Sequence, residues 1–173
     1  MNRLLVPVNA NDHIQGNADA GWTLVEYGDY ECPVCGQAYP IVKQLQERLG
    51  GQLLFVFRNF PLSEIHPSAE HAAEAAEFAA AYGRFWEMHD VLFENQERLE
   101  DEALIGLAAQ IGLSAPKLRR SLASDIYRGR IERDFRGGIR SGVNGTPTFF
   151  INGARHDGAF NFETLLRAFA EAN

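Results

Sequence analysis

Cysteine is scarce here, with two in 173 residues. So few thiols exclude the disulfide framework of a small secreted scaffold. They also exclude a four-thiolate zinc centre, which needs a second pair. Long hydrophobic runs are missing too, and none approaches the ~18 residues of a membrane-spanning helix. Positive charge is in deficit, with 16 Lys and Arg against 23 Asp and Glu. The basic residues are scattered, so a phosphate backbone has no stripe to follow and no nucleic-acid partner is expected. Repeats, low-complexity tracts and linkers are absent, which leaves residues 1–173 as one domain. What the chain does have is apolar mass: 46% hydrophobic residues, including twelve phenylalanines. That is enough for a sizeable core.

The two cysteines stand in Cys32-Pro33-Val34-Cys35, after the apolar run Thr23 to Tyr27 and ahead of a helical pattern. With Cys32 at the N-cap, Pro33 takes the first helical position, where its missing N–H costs nothing. Residues i and i+3 of a helix lie about 5 Å apart at Cα, inside the roughly 4.4–6.8 Å a disulfide accepts. The first sulfur faces unpaired N–H groups and the positive end of the helix dipole, which favour thiolate. Such cysteines titrate at roughly 3.5–7.5 instead of about 8.5. Cys32 is therefore the expected nucleophile, and Cys35, one turn in, the buried resolving thiol. A static bond closing so short a loop would stabilise little. A metal site would need more ligands, and His66 and His71, five apart, do not share a helix face. No metal ligand and no cofactor beyond the redox-active Cys32–Cys35 disulfide are expected.

Around this pair the periodicity gives a strand over 23–28, a helix over 33–49 stopped by Gly50-Gly51, and a strand over 52–57, a right-handed βαβ unit. A short edge strand is expected near His13 to Gln15. An inserted helical subdomain follows at 64–142. It has an alanine-rich helix over 68–82, an aromatic helix over 85–94 read as core, and further helices over 102–111, 115–122 and 126–141. Strand character returns at 147–151. Asn152-Gly153 marks a two-residue hairpin, residues 154–157 return, and Asn161 caps a final helix. The expected class is α/β, with the order βαβ, helical block, ββα. At the amino terminus, Leu4 to Val8 is shorter than the ~7–15 apolar residues of a signal peptide. The unsupported Ala18-Asp19-Ala20 does not change this, so the expected location is cytoplasmic.

Cys-Pro-Val-Cys at a helix start, the helical insertion, Gly145-Thr146-Pro147 and a closing ββα together resemble the thioredoxin fold. The segments 26–35, Arg58-Asn59-Phe60-Pro61-Leu62 and 142–153 narrow this to the DsbA-like thioredoxin domains of bacteria, some of which are fused to membrane transporters. The resemblance covers roughly residues 12–172. It implies a thiol:disulfide oxidoreductase with Cys32 and Cys35 as the active pair. Pro147 matches the cis-proline facing that pair, and Glu26 the buried acid beneath it. With Thr146, Pro33 and Val34, Pro147 forms the expected substrate-binding set. Substrates would be disulfide-containing proteins or small thiols, recycled by a separate reductant or oxidant. Desolvation would raise the Glu26 pKa and suit it to relay a proton with Cys35; the alternative is that it reaches water or pairs with a lysine such as Lys43.

Strongly oxidising members of the branch carry histidine where this chain has Val34. Valine cannot stabilise the Cys32 thiolate, and Glu31 adds negative charge next to it. Both point to a less oxidising couple and to reduction or general exchange. Two other activities fit the same residues: a thiol-dependent peroxidase passing through a Cys32 sulfenic acid, and a metal-binding module using the cysteine pair and a histidine.

Overall fold

The computed structural model describes residues 3–172. The central element is a five-stranded sheet in the order β1-β3-β2-β4-β5, with β1 His13–Gly16, β2 Trp22–Gly28, β3 Leu53–Asn59, β4 Thr148–Ile151 and β5 Ala154–His156. β2 and β3 run parallel, joined by helix α1, Pro33–Leu49; the other pairings are antiparallel. Between β3 and β4 lie α2 Ala69–Ala81, α3 Phe85–Glu94, α4 Asp101–Gln110, α5 Ala115–Ala123 and α6 Arg128–Arg140. Helix α7, Phe162–Glu171, closes the chain. No helix among the described residues is long and apolar enough to cross a membrane.

Strand alternation divides the core between the two faces of the sheet. Leu24, Phe55, Phe57, Phe149 and Ile151 share one cluster with α1, α3, α7 and the buried alanines of α2. Val25, Tyr27, Leu54, Val56 and Phe150 form the other, with Phe60 and Val143. The helical insertion thus shares its core with the sheet. Register then decides the setting of Glu26. It pairs with Phe57 on one side and Phe149 on the other, on the face that α1 covers.

The strand β3 continues two residues past the apolar run that predicts it. Arg58 and Asn59 are polar, yet both are buried. Arg58 donates to Asp12 through Nε and Nη2 at 2.8 Å each, to the Tyr27 hydroxyl at 2.9 Å and to the carbonyls of Val6 and Pro7. A bidentate ion pair with its remaining donors satisfied can be buried without a large net cost. It also anchors the lead-in segment, which lacks periodicity of its own. At the hairpin, Asn152 and Gly153 take φ of 47° and 80°, the double left-handed turn that this dipeptide favours. Asn161 accepts the Thr164 N–H at 3.0 Å and caps α7 as expected.

Helix α6 approaches the sheet through Gly138. A Cβ there would lie 2.8 Å from two atoms of the Phe60 ring and 3.0 Å from the Tyr27 ring. Gly106, exposed in the middle of α4, meets nothing within 4 Å. Gly138→Ala is expected to lose about 1–3 kcal/mol through overpacking. Gly106→Ala should gain about 0.5–1 kcal/mol through helix propensity. Urea unfolding of the two variants checks the opposite signs.

Candidate active site

The β2–α1 loop, residues 29–31, delivers Cys32 to the helix. Asp29, 1% exposed, organises it. Its carboxylate accepts the Glu31 N–H at 2.8 Å and the Leu62 N–H at 2.9 Å, and lies 2.8 Å from His66 Nδ1. The Glu31 carboxylate accepts the Ser68 N–H at 2.6 Å. Tyr30 inserts between Phe57 and Phe93, with its hydroxyl 3.0 Å from His89 Nδ1. The aromatic helix α3 is therefore core, as its composition indicates, and the loop is tied to the entry of the helical insertion.

Cys32 is the N-cap of α1, with extended backbone and Pro33 next. Its sulfur lies 3.5 Å from the carbonyl oxygen of Thr146, and the Thr146–Pro147 peptide is cis. Cys32 is 5% exposed and Cys35 fully buried; Pro33 and Val34 project outward, Val34 40% exposed. Both cysteines are free thiols. The Cys32 pKa is lowered to about 5, first by a hydrogen bond from the Cys35 thiol. Burial opposes this, while the Thr146 side-chain hydroxyl and the backbone N–H groups of Cys35 and Val34 add to it. Cys35 moves the other way, raised well above the ordinary thiol range by burial, by its bond to Cys32 and by the nearby Glu26 charge. One sulfur is thus an anion at neutral pH and the other holds its proton. Valine at position 34 contributes its backbone amide, while Glu31 is engaged by Ser68.

Glu26 is 2% exposed, and its Oε1 has no hydrogen-bond partner among the described residues. Burial, then the Cys32 charge, raises its pKa to about 8. Lys43 pairs with Asp90 at 2.7 Å, which removes the lysine partner considered for Glu26.

The sequence reading missed Gln96, in the segment between α3 and α4. Its Nε2 donates to the Tyr30 carbonyl at 2.7 Å and the Cys32 carbonyl at 2.9 Å, clamping the first turn of α1 from outside. A side chain at position 36 would obstruct it: a Cβ on Gly36 would lie 1.9 Å from Gln96 Oε1. Nothing in the periodicity links positions 36 and 96.

A thioredoxin family model matches residues 8–171. The chain belongs to the thioredoxin family. Its architecture is DsbA-like, a thioredoxin fold with the helical insertion described above. It superposes on BdbD from Bacillus subtilis with a TM-score of 0.85, at 24% identity, covering 92% of this chain and 91% of that one. A thioredoxin-like oxidoreductase from Silicibacter pomeroyi gives 0.84 at 26% identity, covering 95% and 93%. In sequence, this thioredoxin-family chain is 45% identical over 170 residues to Na(+)/H(+) antiporter NhaA 1 of Salinispora arenicola. It is 41% identical over 154 residues to Na(+)/H(+) antiporter NhaA of Herminiimonas arsenicoxydans. These matches take in 98% and 89% of this chain but 26% and 24% of those proteins. The chain spans about a quarter of the length of these relatives.

Two outcomes follow from the geometry. In the reduced protein, thiolate ultraviolet absorbance should show one group titrating near pH 5, and iodoacetamide at about pH 6 should alkylate Cys32 alone. A single transition in the ordinary thiol range would contradict this arrangement. Gly36→Ala should cost about 1–3 kcal/mol by displacing Gln96. The double variant with Gln96→Ala should cost no more than Gln96→Ala alone, as a urea double-mutant cycle will show.

Proposed function

We propose that this chain is a thiol:disulfide oxidoreductase that exchanges disulfides with protein or small-thiol substrates through Cys32 and Cys35. One observation carries the reading: a low-pKa sulfur at a helix N-terminus sits over a buried, protonated partner and beside the Thr146 carbonyl. The Cys32 thiolate attacks one sulfur of a substrate disulfide, forming a mixed disulfide and expelling a substrate thiolate. Cys35 then gives up its proton and attacks the Cys32 sulfur. The Cys32–Cys35 bond closes, and the second substrate sulfur leaves as a thiol. Two electrons pass from the protein to the substrate, and a separate dithiol must restore the reduced pair. Oxidation runs the same steps in reverse. Thr146 and Pro147 flank the nucleophile, and the exposed Pro33 and Val34 complete an apolar rim for an extended substrate segment, paired along its backbone as in strand addition.

Glu26 is the proton acceptor for Cys35 in this scheme. While Cys32 is an anion its charge helps to keep Glu26 protonated. Once Cys32 is tied up in the mixed disulfide that charge is gone, and the carboxylate becomes accessible at the step that needs a base.

The decisive experiment pairs a turnover assay on a protein disulfide with Cys35→Ser, which should accumulate a stable mixed disulfide at Cys32. No trapped adduct and no exchange would overturn the reading. The equilibrium potential against glutathione then gives the net direction.

Glu26→Gln should slow resolution of the mixed disulfide by on the order of 10²-fold while leaving the first attack intact. Its stability signature has a fixed sign. A pKa raised from 4.5 to about 8 gives stability that is complete below 4.5 and lost as pH rises through about 8. The glutamine variant should therefore gain on the wild type at alkaline pH and not at acid pH, as urea unfolding at the two extremes will show.

A further inference from the structure

Glu74, in the middle of α2, is fully buried, and neither carboxylate oxygen has a hydrogen-bond partner among the described residues. A carboxylate buried without partners is costly and calls for a proton, a water or an ion. His71 lies three residues earlier on the same helix face. Asp125 reaches the same point from the α5–α6 turn, where it holds a φ of 48° that residues other than glycine seldom adopt. One ligand atom from each of the three lies within 4.8 Å of the others. Behind His71, Asp101 at the start of α4 accepts a bond from Nδ1 at 2.6 Å. That leaves Nε2 as the remaining ring nitrogen, and a carboxylate behind the imidazole is the arrangement that orients metal-binding histidines. Arg128 offsets the group only in part: it forms a long ion pair with Asp125 at 3.9 Å, and its Nε is engaged by Glu70 at 3.1 Å.

We propose that His71, Glu74 and Asp125 form a divalent-cation site, oriented by Asp101 and suited to Zn2+. One imidazole and two carboxylates match zinc, with a fourth position left for water. Calcium and magnesium prefer oxygen ligands alone. Bonds of about 2.1 Å put tetrahedral ligands roughly 3.4 Å apart, so the two outer side chains must close slightly on Glu74. His71 and Asp125, both partly exposed, can do so. Bound metal would join α2 to the α5–α6 turn directly and to α4 through Asp101. The site uses neither cysteine, so it differs from a metal module built on the redox pair. His71 carries no such signal in sequence, because Asp125 is 54 positions away.

The test uses the full chain in a Cys32→Ser/Cys35→Ser background, where no thiolate competes, stripped by chelator and titrated with Zn2+ in a calorimeter. One equivalent should bind. Glu74→Gln should abolish binding, and Asp101→Asn should weaken it about 10- to 100-fold. Thermal melts give a second, sign-based readout. With chelator, Glu74→Gln should be at least as stable as its parent, because an unpartnered charge is gone. In excess Zn2+ the order should reverse. If Glu74→Gln fails to fold, the exposed Asp125→Asn replaces it and should also lose binding. No stoichiometric binding by the parent, or binding unchanged in Glu74→Gln or its replacement, overturns the proposal. A fixed stability order with and without zinc does the same.

Discussion

The chemistry of this chain depends on one constraint: the first turn of α1 must present unpaired backbone amides to a sulfur and stay in place while that sulfur changes charge. The Cys35 hydrogen bond and the amides of Val34 and Cys35 lower the Cys32 pKa. They act only at short range and in a fixed direction. Hence so many contacts converge on the three loop residues and the N-cap. Asp29 ties the loop to Leu62 and His66, Glu31 ties it to Ser68, and Gln96 holds the carbonyls of Tyr30 and Cys32. Three of these four anchoring residues lie in or at the entry to the helical insertion, and the fourth, Leu62, just before it. The insertion therefore does more than enlarge the domain, because it supplies the outer wall against which the active turn is set.

The inner wall is the sheet. Two aromatic neighbours, Phe57 and Phe149, flank Glu26 in register and deny its Oε1 a partner. Desolvation is the first cause of its raised pKa, and the Cys32 charge is second. That order matters. A carboxyl raised by burial alone would keep the same proton affinity throughout a redox cycle. The smaller electrostatic contribution makes it responsive to whether Cys32 is an anion. Gly28 serves the same packing, since a Cβ there would lie 2.5 Å from the Phe57 ring and 3.1 Å from Glu26 Oε1.

Local chemistry was legible in the sequence; long-range polar contacts were not. Cys32-Pro33, Asn152-Gly153 and Asn161 each state a backbone requirement that only a few conformations meet, and each appears where expected. The alanines of α2 announce close packing before any partner is known. By contrast, Gln96 and Gly36 are 60 positions apart, and a glutamine in a loop carries no signal until its amide is seen on a carbonyl. Arg58 and Asn59 misled for the opposite reason. Their polarity ends a hydrophobic pattern, but Asp12 pairs with Arg58, while Asp134 and Glu77 accept the backbone N–H and the side-chain Nδ2 of Asn59 inside the sheet. His66 enters the sequence argument only as a histidine that does not share a helix face with His71. It stands at the entry to the helical insertion and also contacts the active loop through Asp29.

The departures at Val34 and Glu31 take on a narrower meaning beside the structure. Position 34 faces solvent, so a side chain there acts on the thiolate from outside, while the backbone N–H at the same position acts from within whatever residue is present. Glu31 sits next to Cys32 in sequence, but its carboxylate is committed to the Ser68 amide. Electrostatic tuning of the couple is thus layered. Helix geometry and the Cys35 bond supply the large, fixed share. Exposed side chains at the rim, screened by water, add a smaller share. A substitution at the rim would therefore leave the inner arrangement in place.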